Sequence, residues 1–147
     1  MSLAQEVELI RQIPMLSQLE PAAQKMLCFA SDRVVFQPGQ VLFRQGEAAD
    51  AAYVVIEGSV EIKVWTAGGW LLINSIEQYE ILGETGMFGD LPRSATAIAR
   101  TRLETLRIPR EVFRRTIHGS PEAALHLSHV LAQRLAKTTA RLSVGAG

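Results

Sequence analysis

Apolar positions recur at three- and four-residue intervals near both ends of the chain and in short alternating runs between them. Leu3, Val7 and Ile10, followed by Arg11, predict a short amphipathic helix that Pro14 stops, because proline disfavours helical backbone in the residue before it. A second helix is expected over residues 21–29. Glu20 and Pro21 suit a helix start, and Ala22, Met26, Leu27 and Phe29 offer a face to bury.

From residue 33 to residue 108 the texture changes to short Val, Ile, Phe, Trp and Thr runs punctuated by Gly or Pro. Strands are expected at 33–36, 40–44, 53–57, 59–66, 70–76, 96–99 and 103–108. Alternation is clearest where Val60, Ile62 and Val64 face one way while Glu61 and Lys63 face water. Glu57-Gly58 and Gly68-Gly69 mark turns. Many short strands at this spacing predict an antiparallel β-roll, closed or double-layered like a jelly roll, which shields its sheet edges.

The tail returns to helical spacing, with one short helix over 110–116 and a long one over 120–142 that Ser120 can cap and Pro121 can open. Leu127, Leu131 and Leu135 step by four beside Arg134, Lys137 and Arg141, an apolar stripe that must cover something or form a dimer seam. Gly145 to Gly147 read as a frayed end, and no repeat is present. The expected organisation is one domain over 1–147, built from N-terminal helices (1–32), a β-roll (33–108) and C-terminal helices (109–142).

Composition narrows the function. With 48% hydrophobic and 20% charged residues and no apolar run of membrane length, the chain is expected not to insert in a membrane. Fifteen basic residues balance fifteen acidic ones, so no global field gathers nucleic acid, and any anion site must be local. Cys28 is the single cysteine, which rules out an intrachain disulfide and fits a reducing, cytoplasmic setting. Glu6, Glu8 and Arg11 break up the apolar core that a secretory signal needs.

One segment carries candidate chemistry. Residues 83–96, with Gly83, Glu84, Thr85, Gly86, Gly89, Arg93, Ser94, Ala95 and Thr96, interrupt the strand pattern with three glycines, two acids and an arginine. A turn of helix near Glu84 would aim unpaired amides at an anion, and Gly83 and Gly86 would let backbone approach closely. Arg93 offers a planar fork able to bond two phosphate oxygens, while Glu84, which would repel phosphate, suits hydroxyl donors such as those of a ribose.

These residues resemble the phosphate-binding cassette of the cyclic-nucleotide-binding domains found in bacterial catabolite activators, kinase regulatory subunits and nucleotide-gated channels. Gly83-Glu84 and Pro92-Arg93-Ser94-Ala95-Thr96 match that cassette, and Pro38-Gly39, Gln45-Gly46-Glu47, Tyr53-Val54-Val55-Ile56 and Gly58-Ser59-Val60-Glu61 match the preceding framework. The resemblance implies that Glu84 accepts from the ribose 2′-OH, that Arg93 pairs with the cyclic phosphate, and that amides near Gly83, Ser94 and Ala95 complete the cradle. It further implies that the final helix is a lid, with Leu131 and Arg134 as candidates to meet the base, and that Ser94 after the arginine tilts the choice from cGMP toward cAMP. Leu82 departs from the family, which usually carries an aromatic there.

Other residues draw plainer readings. His126 and His129 sit three apart on the expected helix without a carboxylate or cysteine partner at ligand spacing, so no metal or other cofactor is assigned. Cys28 reads as a packed thiol. The expected function is a non-enzymatic sensor for cAMP or cGMP that signals through its last helix to an effector domain, a partner protein or a second copy. The alternatives are a cupin-like metal enzyme, disfavoured because the strands lack histidines, and a family member that has lost its nucleotide and acts as an interaction module. DNA binding is not expected, since no reading head follows Leu142.

Overall fold

A computed structural model describes residues 2–84, 87, 91–122, 125, 128, 129, 132, 133 and 136. The chain opens with α1 (Leu3–Ile10), whose start is a capping box: Ser2 Oγ accepts from the Gln5 amide while the Gln5 side chain accepts from the Ser2 amide. Next come α2 (Pro14–Ser17) and α3 (Pro21–Phe29). Pro14 does not simply end a helix, as its spacing suggests; the first helix is already over at Ile10, and Pro14 opens the next, where its missing N–H would have no partner anyway.

The strands are β1 (Asp32–Phe36), β2 (Val41–Phe43), β3 (Ala51–Glu57), β4 (Val60–Thr66), β5 (Gly69–Ile76), β6 (Ile81–Leu82), β7 (Thr96–Ala99) and β8 (Leu103–Pro109), followed by α4 (Arg110–His118). They form two antiparallel four-stranded sheets, ordered β1-β8-β3-β6 and β2-β7-β4-β5. The expected β-roll with flanking helices is what the chain builds.

β3 shows why the sheets stack as they do. Its residues 51–56 are all buried, because the strand has a core on each face. Ala51, Tyr53 and Val55 point between the sheets and meet Val60, Ile76, Leu82, Ala97 and Leu103. Ala52, Val54 and Ile56 point the other way, into the helices, with Ile10, Leu16, Leu27, Met87 and the fully buried Phe113 of α4. Continuous burial replaces alternation in a strand covered on both sides.

The face of α3 differs from the one expected. Ala22 is exposed, Met26 is 63% and Phe29 76% exposed, and of the four residues expected inside only Leu27 is buried. The buried side is Gln24, Leu27 and Cys28, an equally good helical stripe. Gln24 decides between them: its Nε2 donates to the Leu16 carbonyl at 3.2 Å, and its Oε1 accepts from Arg11 Nε at 3.2 Å. A buried amide satisfied from α2 and the end of α1 fixes the rotation of α3, leaving Met26 on the rim of a cavity of about 540 Å³ between α3 and α4. Beyond α4, the described residues between 121 and 136 are helical, as expected there.

Candidate functional site

β6, the strand not foreseen, is only two residues long but sets the position of the site. It pairs with β3 through Tyr53↔Leu82 and Val54↔Ile81, so the residue that follows comes alongside the start of β3. That residue is Gly83, at φ +80°, a conformation that a side chain would strain. Glu84 and, further on, Met87 each have 3₁₀ backbone, and both are fully buried. Thr85 lies outside the described residues, as do Leu131, Arg134 and His126.

The far end of the segment is held by backbone. Pro92 bridges Ala48, the Arg93 amide donates to the Glu47 carbonyl at 2.7 Å, and the Arg93 carbonyl accepts from the Gly46 amide at 2.8 Å. The Gln45-Gly46-Glu47 turn therefore grips Arg93 on both sides. Its side chain runs inward and is 3% exposed. Nη1 donates to the Gly83 carbonyl at 2.7 Å and Nη2 to the Ala51 carbonyl at 2.5 Å. The guanidinium stands 4.0 Å over the Phe43 ring, and Nη2 lies 3.7 Å from Asp50 Oδ1. Among the described residues, Arg93 Nε is buried without a hydrogen-bond partner. Burial pushes the Arg93 pKa below its usual value, and the nearby Asp50 carboxylate opposes the shift.

Asp50 is shared. Arg107 of β8 donates to its Oδ2 at 3.2 Å, and Arg107 is itself held above the usual arginine value by Tyr53 and Asp50 despite some burial. Ser94 is exposed, whereas Ala95 and Thr96 are buried, and Ala95 packs with Val64 and Ile73 of the β4–β5 hairpin. The sequence thus locates Gly83, Glu84, Arg93, Ser94, Ala95 and Thr96, and the fold gathers the first three around one point. It gives no sign of Asp50, Phe43 or the Ala51 carbonyl, which reach Arg93 from β2 and the approach to β3. Only the Gln45-Gly46-Glu47 match hinted at that neighbourhood.

Elsewhere the chemistry is quiet. Cys28 is 2% exposed, and burial, with a smaller contribution from Glu6, pushes its pKa up to about 12, so the thiol is unreactive. Among the described residues, no group of three His, Cys, Asp or Glu side chains is placed to hold a metal, and no helix is long and apolar enough to cross a membrane.

The arrangement sets a buried guanidinium with a spare donor on the carbonyl of Gly83, next in the chain to the buried carboxylate of Glu84. The family can be stated outright: the model described as "Cyclic nucleotide-binding domain" matches residues 33–120, and the chain belongs to that family. It is 31% identical over 108 residues to a cAMP-dependent protein kinase regulatory subunit of Yarrowia lipolytica, covering 74% of this chain and 28% of that one. It is 30% identical over 126 residues to the CRP-like cAMP-activated global transcriptional regulator of Mycobacterium tuberculosis, covering 85% and 56%. The chain thus spans about half or less of the length of these relatives. Among solved structures, the sensor domain of the transcriptional regulator DNR from Pseudomonas aeruginosa superposes with a TM-score of 0.81 at 29% identity, over 90% of both chains. The relatives are mostly regulators, but a similar stretch makes up 7% of the Aspergillus fumigatus lysophospholipase nte1, so the domain also occurs within an enzyme.

Proposed function

We propose that this chain is a non-enzymatic, cytoplasmic regulatory domain that binds a cyclic nucleotide, with cAMP preferred, and that residues 1–147 form one ligand-gated domain. The observation that carries the reading is the pairing of Arg93 with Gly83: a side chain 3% exposed, its Nη1 on the Gly83 carbonyl and its Nε in reserve. A cyclic phosphate entering beside Gly83 gives this desolvated cation an anionic partner in place of neutral carbonyls, the kind of exchange a low-dielectric site favours. Glu84 accepts from the ribose 2′-OH, and amides near Gly83, Ser94 and Ala95 complete the cradle. The resemblance of the cassette and the cAMP dependence named in two relatives support the choice of ligand.

The helix expected over 120–142 closes on the base and passes the change to an effector domain, a partner protein or a second copy. To move such a switch from 1:99 to 99:1, the nucleotide must favour the closed state by about 5.5 kcal/mol. Calorimetric titration with cAMP, cGMP and AMP tests the reading. Binding at micromolar concentration or tighter, in the order cAMP, cGMP, AMP, is expected, and silence toward both cyclic nucleotides overturns it. The same silence would favour a second reading, an interaction module without a nucleotide, for which the existing bonds from Arg93 to Gly83 and Ala51 speak.

A further inference from the structure

β2 carries a β-bulge. It pairs with β7 through Val41↔Ile98 and Phe43↔Ala97, so Val41, Leu42 and Phe43 lie opposite only Ile98 and Ala97. A regular strand sends successive side chains to opposite faces, and a bulge re-aims one of them. Here the successive Leu42 and Phe43 both pack against the core between the sheets. The irregularity is what turns Phe43 toward Arg93.

The ring is braced before it meets the cation. Its centroid lies 6.3 Å from that of the buried Tyr53, tilted by 31°, and Tyr53 in turn meets Phe36 at 6.2 Å and 70°. Arg93 Cζ stands 4.0 Å from the Phe43 centroid, and a Cβ at Gly83 would come within 3.4 Å of Phe43 Cε2. All the N–H donors of a guanidinium lie in its plane, so a ring against one face consumes none of them and fixes where each one points. Two are spent on the carbonyls of Gly83 and Ala51, Nε is buried without a partner among the described residues, and Asp50 reaches Nη2 only at 3.7 Å. For a cation this short of charged partners and of water, the negative face of an aromatic ring is worth most.

We infer that Phe43 is a positioning residue for the nucleotide: by attracting one face of the Arg93 guanidinium, its ring holds the cation in the orientation in which a cyclic phosphate meets it. The inference rests on the nucleotide-binding reading. When the phosphate takes over from the carbonyls of Gly83 and Ala51, the hydrogen bonds at the edge of the guanidinium are exchanged, while the contact on its face is kept. The plane of the cation therefore does not have to be set anew by the ligand. With an aliphatic side chain in place of the ring, the plane is free to tip, and the cost of ordering it falls on binding.

The test is calorimetric titration with cAMP of wild type, Phe43→Leu, Phe43→trifluorophenylalanine and Phe43→pentafluorophenylalanine, with thermal melts to show that each variant is folded. Fluorination keeps the ring and its packing nearly unchanged but withdraws, and finally reverses, the negative charge of its face. Phe43→Leu should bind roughly three- to tenfold more weakly than wild type, the cost of ordering one long side chain. Across the fluorinated rings affinity should fall stepwise, the pentafluoro variant losing at least as much as Phe43→Leu; these two rings carry the test alone where Phe43→Leu does not fold. Affinity unmoved by fluorination means that Phe43 serves only as packing, and overturns the inference while leaving nucleotide binding intact. Absence of heat in wild type overturns the nucleotide reading and the role of Phe43 with it.

Discussion

Gly83 and Gly39 allow a controlled test of the cradle. Both have positive φ, +80° and +87°. An alanine at either position must adopt a left-handed conformation, which costs roughly 1–2 kcal/mol. They differ in what the new methyl group meets. At Gly39 there is nothing within 4 Å, whereas at Gly83 the Cβ would lie 2.7 Å from Arg93 Nη1 and 3.3 Å from the Ala51 carbonyl oxygen. The first contact is far too close, so the guanidinium must leave its seat; the second needs only a few tenths of an ångström. Gly39→Ala should therefore lower the melting temperature by roughly 3–8 °C and leave nucleotide affinity unchanged. Gly83→Ala should lower it further, because the carbonyls of Ala51 and Gly83 lose their donors, and should weaken cAMP binding at least about tenfold, or about 1.4 kcal/mol. Thermal melts with and without nucleotide, plus calorimetry on both variants, give the comparison. An affinity of Gly83→Ala equal to or tighter than that of Gly39→Ala would refute the assignment of Gly83 and Arg93 to one binding cradle.

Arg93→Ala should cost nucleotide binding roughly a hundred- to ten-thousand-fold, from two charge-assisted bonds at about 1.5–3 kcal/mol each, with calorimetry as the readout. Glu104 is held below the usual carboxylate range chiefly by its hydrogen bond from Arg102, with burial opposing and Arg33 assisting. Its contribution is thus present above the unfolded pKa of about 4.3 and lost as pH falls through the lower folded value. Urea melts should show wild type more stable than Glu104→Gln at neutral pH, with the gap closing in strong acid; a constant gap would dismiss the ion pairs as its source.

How much of this the sequence disclosed depended on how local the cause was. The strand runs, the Glu57-Gly58 turn, α3 and the cassette are each set by residues close together in the chain, and each could be read directly. β6 could not, because a strand of two residues has no period; it exists through its pairing with Tyr53 and Val54. The face of α3 was ambiguous on spacing alone, and Gln24 resolved it with a carbonyl from the preceding helix. At the site, Glu84 and Arg93 stood out as charges among glycines. The Ala51 carbonyl that holds Arg93 lies 42 residues away and belongs to the backbone, which no side-chain pattern can announce. Asp50 looks like any surface acid until β8 brings Arg107 to its other side.

The buried Cys28 has a practical consequence. With its pKa pushed to about 12, only on the order of one thiol in a hundred thousand is ionised near neutral pH. Maleimides and other thiolate-seeking labels will in effect pass it by. A cysteine introduced at an exposed position, such as Leu125, 75% exposed in the helical stretch beyond α4, would then be the one site to take a spectroscopic probe. The native chain is in this sense already a labelling background, with no cysteine to remove from its core.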